Sequence, residues 1–358
     1  MDGRKPIYVE TTIRADMETL WAHTQRPELH RQWDLRFSDI AYLPRRSHDE
    51  PQRFTYRTRI GFGLHIAGTG ESQSKISAKR NIRLSTLAFG SGQPWSLISK
   101  GAGYWKYTGS YANGSAGRIE WAEQSEWSGR SEQIDQTDHT GQIRQTEQTK
   151  QTEQTKQTVN GIRFVTQYDY RTRFGLAGAL FDRWLFRPLF GWATAWSFDA
   201  LRIWLEEGIP PRMLIRQAVI HYACGAALAG LWIGQGLLPK LLFPQDGELA
   251  LMQAVGWIPD SWALMLVKLL GVIEIGIGAA SMLLHRSRGA LMLQMLLLLL
   301  MALSASVGNP ALLATPYNPA ALGAGMIALC IAVLHSSHDL PRAARCLRKP
   351  ERTGGTRL

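Results

Sequence analysis

The spacing of apolar and polar residues divides this chain into two halves with different periods. Alternation begins at once. Ile7, Val9, Thr11 and Ile13 share one side of an extended segment, and a short helical stretch follows around Asp16 to Thr24 with Asp16 as its N-cap. Arg53 to Phe62 alternates most sharply, with Phe54, Tyr56, Thr58, Ile60 and Phe62 on one face and Arg53, Arg57 and Arg59 on the other. That is the pattern of an antiparallel strand with one wet face. Further strands are expected near Ile40, from Leu64 to Ser74, from Asn81 to Phe89, from Trp95 to Tyr107, and through Ile162, Phe164, Thr166, Tyr168 and Tyr170. One long helical region, Leu180 to Leu205, closes this half, broken or kinked at Pro188 and ended by Gly208 with Pro210 and Pro211. Along it Phe181, Leu185, Leu189, Trp192, Trp196, Ala200 and Ile203 recur at spacings of three and four, a stripe expected to face the sheet. Strand, short helices, several antiparallel strands and a long final helix make an α+β pattern in which one curved sheet wraps a helix. The aromatic stripe reads as a solid core, which periodicity alone favours, or as the wall of an apolar cavity.

The second half holds four nearly continuous apolar stretches, roughly Met213 to Leu238, Trp262 to Leu284, Gly289 to Val307 and Pro319 to Leu334. Each is about the length needed to cross the hydrocarbon, the last at the short limit. Their flanks alternate in charge. Arg212 and Arg216 precede the first, His285, Arg286 and Arg288 separate the second from the third, and Arg342, Arg345, Arg348 and Lys349 follow the fourth. The other connections carry Lys240 against Asp246, Glu248 and Asp260, or no charge between Gly308 and Asn318. The positive-inside rule therefore predicts an all-α four-helix transmembrane bundle in the cytoplasmic membrane, with both termini in the cytoplasm. Ala226, Gly230 and Gly234 form a small-residue ridge on the first helix, suited to close approach of a neighbour.

Composition adds less than pattern, because a polar and an apolar half average to a mean hydropathy of -0.15. The net charge of +11 is placed largely where a membrane topology needs it, so nucleic-acid binding is not expected. Cysteine is confined to Cys224, Cys330 and Cys346, which excludes a disulfide framework and fits a reducing compartment. The first residues, MDGRKPIYVETTI, lack the apolar core of a secretory signal, so targeting is expected from the internal helices. Between the last two strands, about 113–160, lies a Gln/Thr-rich insertion in which QTEQTK at Gln145 to Lys150 is repeated at Gln151 to Lys156. Such a tract cannot bury enough apolar surface to offset its ordering entropy and reads as an expanded, mobile hairpin loop. Trp121 and Trp127 at its start are placed to extend the flanking strands.

No catalytic triad, paired catalytic carboxylates, metal-ligand spacing or phosphate-binding loop stands out. His23, His30 and His48 are dispersed among polar residues and read as surface or helix packing, and no metal is expected. His335, His338 and Asp339 sit beside the basic end and read as interface anchors. Ionisable groups inside spans are costly and are therefore default functional candidates. They are Glu274 near mid-depth and His221 at similar depth in the first helix, and the polar Gln235 with Lys240 near the outer surface is a candidate contact for a headgroup or quinone ring. His221 and Glu274 are candidates for a hydrogen-bonded pair, and Lys240 also reads as an interfacial anchor.

The segments IYVETTIRADMETLWAHTQRPELHRQWD at Ile7 to Asp34, GYWKY at Gly103 to Tyr107 and YDYRTRFG at Tyr168 to Gly175 together resemble the SRPBCC, or START-like, superfamily over about residues 5–208. The resemblance implies a helix-grip fold with a cavity for a lipid or apolar small molecule, and makes Tyr168, Tyr170, Trp192 and Trp196 ligand-binding candidates. WIGQGLLPKLLFP at Trp232 to Pro244, Glu274, and NPALLATPYNPAALG at Asn309 to Gly323 resemble the DoxX-like family over about 213–335. A linker at 209–212 joins the two domains, and 336–358 reads as a basic tail. The second resemblance implies a four-helix membrane subunit, in some members tied to quinone-linked oxidoreduction. No haem, iron–sulfur or flavin motif is evident, so quinone is the candidate cofactor and a membrane redox partner the candidate source of electrons. The expected function is membrane-held handling of an apolar small molecule or lipid. The alternatives are a quinone-linked oxidoreductase subunit and a membrane-tethered cyclase or hydrolase.

Overall fold

The computed structural model describes residues 5–47, 50–61, 63–77, 81–111, 159–245, 248–254, 259–308, 310–314 and 318–350. The Gln/Thr-rich repeats, Trp121, Trp127 and His48 lie outside the described residues. The chain forms two compact units, one from residues 1–207 together with 343–358, the other from 208–342.

In the first unit, strands β1 (Ile7–Ile13), β2 (Asp39–Tyr42), β3 (Gln52–Gly61), β4 (Leu64–Ser77), β5 (Ile82–Gly90), β6 (Ile98–Tyr111) and β7 (Val159–Thr172) form one sheet in the order β1-β7-β6-β5-β4-β3-β2. Every neighbouring pair is antiparallel. Helices α1 (Met17–Gln25) and α2 (Pro27–Trp33) connect β1 to β2. Asp16 caps α1 as expected, its carboxylate accepting from the Thr19 amide at 2.7 Å. After β7 come α3 (Gly175–Phe181), a π-helical turn (Asp182–Phe186) and α4 (Arg187–Glu207), which ends at Gly208 with φ +72°.

α4 packs on the sheet through an aromatic core. Phe198 stacks on Phe164 with ring centroids 4.4 Å apart, and Phe164 stacks in turn on Tyr107 at 4.8 Å. The expected stripe is corrected in its first half. Phe181, Leu185 and Leu189 are exposed, and the side chains turned to the sheet are Phe186, Phe190, Thr194, Phe198 and Leu201. A π turn inserts one extra residue, about 100° of helix rotation, so the periodicity upstream of it belongs to a different face, while Leu189 and Trp192 beyond it are exposed because the buried side of α4 runs through Phe190, Thr194 and Phe198. The irregularity sits at 182–186, directly before Pro188, which has no N–H to donate back into that turn of the continuous helix.

The chain's end completes this unit. Leu347 and Glu10 exchange two backbone hydrogen bonds of 2.9 Å, giving the outer edge of β1 a partner. Arg345 lies 3.4 Å from Asp199 and the Cys346 thiol 3.3 Å from the Ala195 carbonyl, while Ala343 and Cys346 belong to the core. This part of the expected basic tail is thus built into the fold.

The second unit is helical: α5 (Pro211–Gly236) with a π-helical extension (Leu237–Leu242), short α6 (Leu249–Ala254), α7 (Asp260–Leu283), α8 (Arg288–Gly308), a 3-10 turn (Pro310–Ala314) and α9 (Pro319–Ser336). α5 packs against α7 and α9, and α8 against α9. Leu228, Trp232, Leu291, Leu298, Met326, Cys330 and Val333 form its core. Among the described residues three helices, Pro211–Leu242, Ser261–Leu283 and Pro319–Ser336, are long and apolar enough to cross a membrane, and Arg288–Ser304 is apolar but shorter. The expected ridge does not make the close contact. Ala226 is exposed, and a Cβ on Gly230 or Gly234 would meet open space. A Cβ on Gly236 would instead lie 2.4 Å from the Gly271 carbonyl, and one on Gly271 would lie 2.7 Å from that of Gly236. These two glycines set the α5–α7 crossing.

Candidate functional site

The candidate residues fall in two places. In the first unit, α2 ends at Trp33 and the next residue, Asp34, turns its carboxylate inward. It accepts from Arg36 Nε at 2.8 Å, Arg36 Nη2 at 2.6 Å and the Arg36 amide at 3.1 Å, and faces His30 Nε2 at 3.0 Å. All three side chains are buried. Burial alone would raise the Asp34 pKa, but the Arg36 guanidinium outweighs it and holds the carboxyl well below its usual range. The guanidinium lies 5.4 Å from the centre of the Tyr168 ring and 5.6 Å from that of Phe37. Thr194 donates to the Phe190 carbonyl at 2.8 Å, so the 2.7 Å bond between Tyr168 and Thr194 is donated by the tyrosine. Burial pushes the Tyr168 phenol up, keeping it a donor.

Tyr170, two residues on, faces the same way but has a different partner. Its hydroxyl donates to Asp182 at 2.6 Å, and Arg187 Nε reaches the other Asp182 oxygen at 3.1 Å, which ties the π turn to β7. Trp196 is buried and Trp192 is 38% exposed. Tyr168, Tyr170, Trp192 and Trp196 therefore do not line one common space. A groove of about 600 Å³ lies over β3 and β4, walled by the β5–β6 connection and lined by Thr55, Tyr56, Arg57, Ala67, Gly68 and Gln93 among others.

In the helical unit, the π-helical extension of α5 carries Lys240 inward until it is 2% exposed. Its ammonium lies 2.9 Å from Glu274 on α7, 2.5 Å from Glu248 and 3.4 Å from the Gln235 carbonyl. The Glu274 contact is an ion pair rather than an aligned hydrogen bond, since that oxygen has no donor at hydrogen-bond geometry. Gln235 thus contributes through its backbone. One ammonium is set against two carboxylates. Gly236 and Gly271 make the cluster reachable, because a Cβ on Gly271 would also lie 2.8 Å from the Lys240 Cβ.

His221 belongs to a separate cluster, which corrects the pairing expected from depth. Its Nδ1 donates to the Val333 carbonyl at 3.1 Å, so its Nε2 in the neutral ring accepts from His285 Nδ1 at 2.7 Å. Ser336 Oγ lies 3.3 Å from the same Nδ1. α5 and α7 run antiparallel past the Gly236–Gly271 contact. Fifteen residues before Gly236 comes His221, and fourteen after Gly271 comes His285, so these two meet while Glu274 stays beside Lys240. Depth along each helix says nothing of that register. Asp34, Arg36, Glu248 and His285 are the members the sequence reading missed, although Asp34 and Arg36 flank a single leucine. Among the described residues no group of three or more His, Cys, Asp or Glu is arranged to hold a metal ion.

A family described as DoxX-like matches residues 229–331, a range that contains Gln235, Lys240, Glu274 and His285 but not His221. The uncharacterized membrane protein YndG of Bacillus subtilis (strain 168) is 42% identical over 255 residues, covering 71% of this chain and 77% of that protein. Among solved structures, TTHA0849 from Thermus thermophilus aligns with 55% of this chain and 94% of its own at 12% identity and a TM-score of 0.32, a likeness too loose to carry a conclusion.

Proposed function

This chain belongs to the family of the membrane protein YndG and carries a DoxX-like domain, and from that premise we propose a membrane-held binder or handler of an apolar small molecule or lipid. The binding body in this reading is the first unit, as a START-like, helix-grip domain. The observation that carries it is topological: one antiparallel sheet of seven strands, with two short helices after β1 and the long helix after β7 packed on its aromatic face. The groove over β3 and β4 is the proposed binding place for the ligand, with Arg57 and Gln93 its polar lining.

The same reading holds four spans with both termini cytoplasmic. The first unit is built from residues on both sides of the helical unit, which supports a chain that leaves the membrane on the side it entered. That favours an even number of crossings, with α8 crossing alongside the three longer helices. The basic flanks favour the cytoplasm for that side.

The Lys240 cluster favours a second reading, in which the helical unit handles a proton or a quinone as part of a membrane oxidoreductase. One experiment separates the two. Mass spectrometry of small molecules extracted from gently purified full-length protein is expected to find a near-stoichiometric lipid or other apolar compound, depleted by Thr69→Trp, which enlarges an exposed side chain lining the groove. A retained quinone, lost on Glu274→Gln and kept on Thr69→Trp, supports the second reading, and an empty protein counts against the first.

A further inference from the structure

A helix laid on a sheet normally turns polar residues to the outside. Between Phe174 and Trp192 this chain does the opposite. Leu176, Leu180, Trp184, Leu185, Leu189 and Trp192 are all exposed, Leu176 to 85% and Trp184 to 76%. The inward side of the same segment is already occupied by Phe186, Phe190 and Asp182. Charge is scarce there. Asp182 is buried against Tyr170 and Arg187, which leaves Arg183, its guanidinium 6.0 Å from the Trp184 ring, as the exposed ion of the segment. Large contiguous apolar patches on a folded surface mark a docking face.

We propose that the outward face of residues 174–192 lies in the interfacial layer of the bilayer that the helical unit spans, as an in-plane membrane anchor. Two observations commit it to phospholipid. First, three residues, Gly208 to Pro210, separate the end of α4 from the first membrane-crossing helix, so covalent continuity holds the long helix within reach of a lipid surface. Second, leucine and tryptophan with an arginine and no exposed acid is the composition of helices that rest at the headgroup boundary. The π turn is what makes the face. By shifting the register it turns Phe181 and Leu185 outward, in line with Leu189 and Trp192 on the outer side of α4, while Phe186 and Phe190 keep the sheet contact. The inference needs the chain to be a membrane protein and does not depend on which ligand the first unit takes.

The test uses full-length protein reconstituted in phosphatidylethanolamine–phosphatidylglycerol vesicles, with the photoreactive p-azidophenylalanine in place of Leu176 or, separately, of Trp184. Gln73 is the control. It is exposed and two residues on from Glu71, which pairs with Arg53 on the face of the sheet turned away from the core. Illumination is expected to give at least tenfold more lipid adduct at positions 176 and 184 than at 73, read by mass spectrometry of the modified peptide. Two positions are used so that a variant that fails to fold leaves the other as the test. Lipid adduct no greater than at Gln73, or cross-linking to a second copy or to another segment of the chain instead of lipid, overturns the proposal.

Discussion

Arg36 is the side chain whose removal is expected to cost the first unit most. Its pair with Asp34 is fully buried, and breaking such a pair from one side strands a charge in low dielectric. Arg36→Met is predicted to lower the stability of that unit by about 3–5 kcal/mol in urea unfolding. Asp34→Leu added to it should recover most of the loss, because no charge is then left unpaired. The pH dependence has a fixed sign. A carboxyl held below its ordinary value contributes stability that is complete above the unfolded pKa, about 3.9, and is lost as pH falls through the folded one. The stability gap between the wild type and Asp34→Asn should therefore be level from about pH 5 to pH 8 and shrink below about pH 4. A gap that grows with acid would contradict the assignment. Neither residue was legible as a site, since a lone Asp-Leu-Arg after a helix looks like solvated loop. The Asp16 cap was legible because its chemistry is local, a carboxylate three residues before the amide it accepts from.

At the scale of elements, strands and helices were readable where one periodicity ran uninterrupted. Alternation located β1, β3 and β7, and the four apolar stretches matched α5, α7, α8 and α9 to within a few residues. The π turn was not readable, because one inserted residue changes which face a side chain occupies without altering composition. The contact between Leu347 and Glu10 was hidden for another reason: it joins residues more than three hundred positions apart, and a basic C-terminus after a membrane helix reads as a topology signal. Cys346 makes this contact measurable. Burial pushes its thiol up to about 12, so at neutral pH it stays protonated and slow to react. Leu347→Pro removes the amide that donates to the Glu10 carbonyl and should raise Cys346 alkylation in the native protein at least tenfold. Unchanged alkylation would mean that the two backbone bonds do not hold the segment.

For the whole molecule, the candidate site was only partly foreseen. Lys240, Glu274 and His221 stood out because charge or imidazole inside an apolar helix is anomalous at a glance, yet their partners depend on helix register, which no single helix encodes. The parity of crossings leads to a labelling prediction. Cysteines placed at Gln245 and at Lys349 in full-length protein in intact cells should differ, the first modified by a membrane-impermeant reagent and the second protected. Modification at Lys349 with protection at Gln245 would reverse the orientation, and modification of both would give an odd number of crossings.

The closure of β1 by Leu347 also orders events during synthesis. The ribosome completes the seven strands first, then the helices that must thread the bilayer, and only after them the few residues that cover the open strand edge. A chain inserted with one helix too few delivers those residues to the wrong side of the membrane. Its sheet then keeps a bare edge, the feature most prone to pair with other chains and to attract proteolysis. The sheet therefore gains its edge cover only from residues made after the membrane helices, which ties completion of the first unit to insertion of the second.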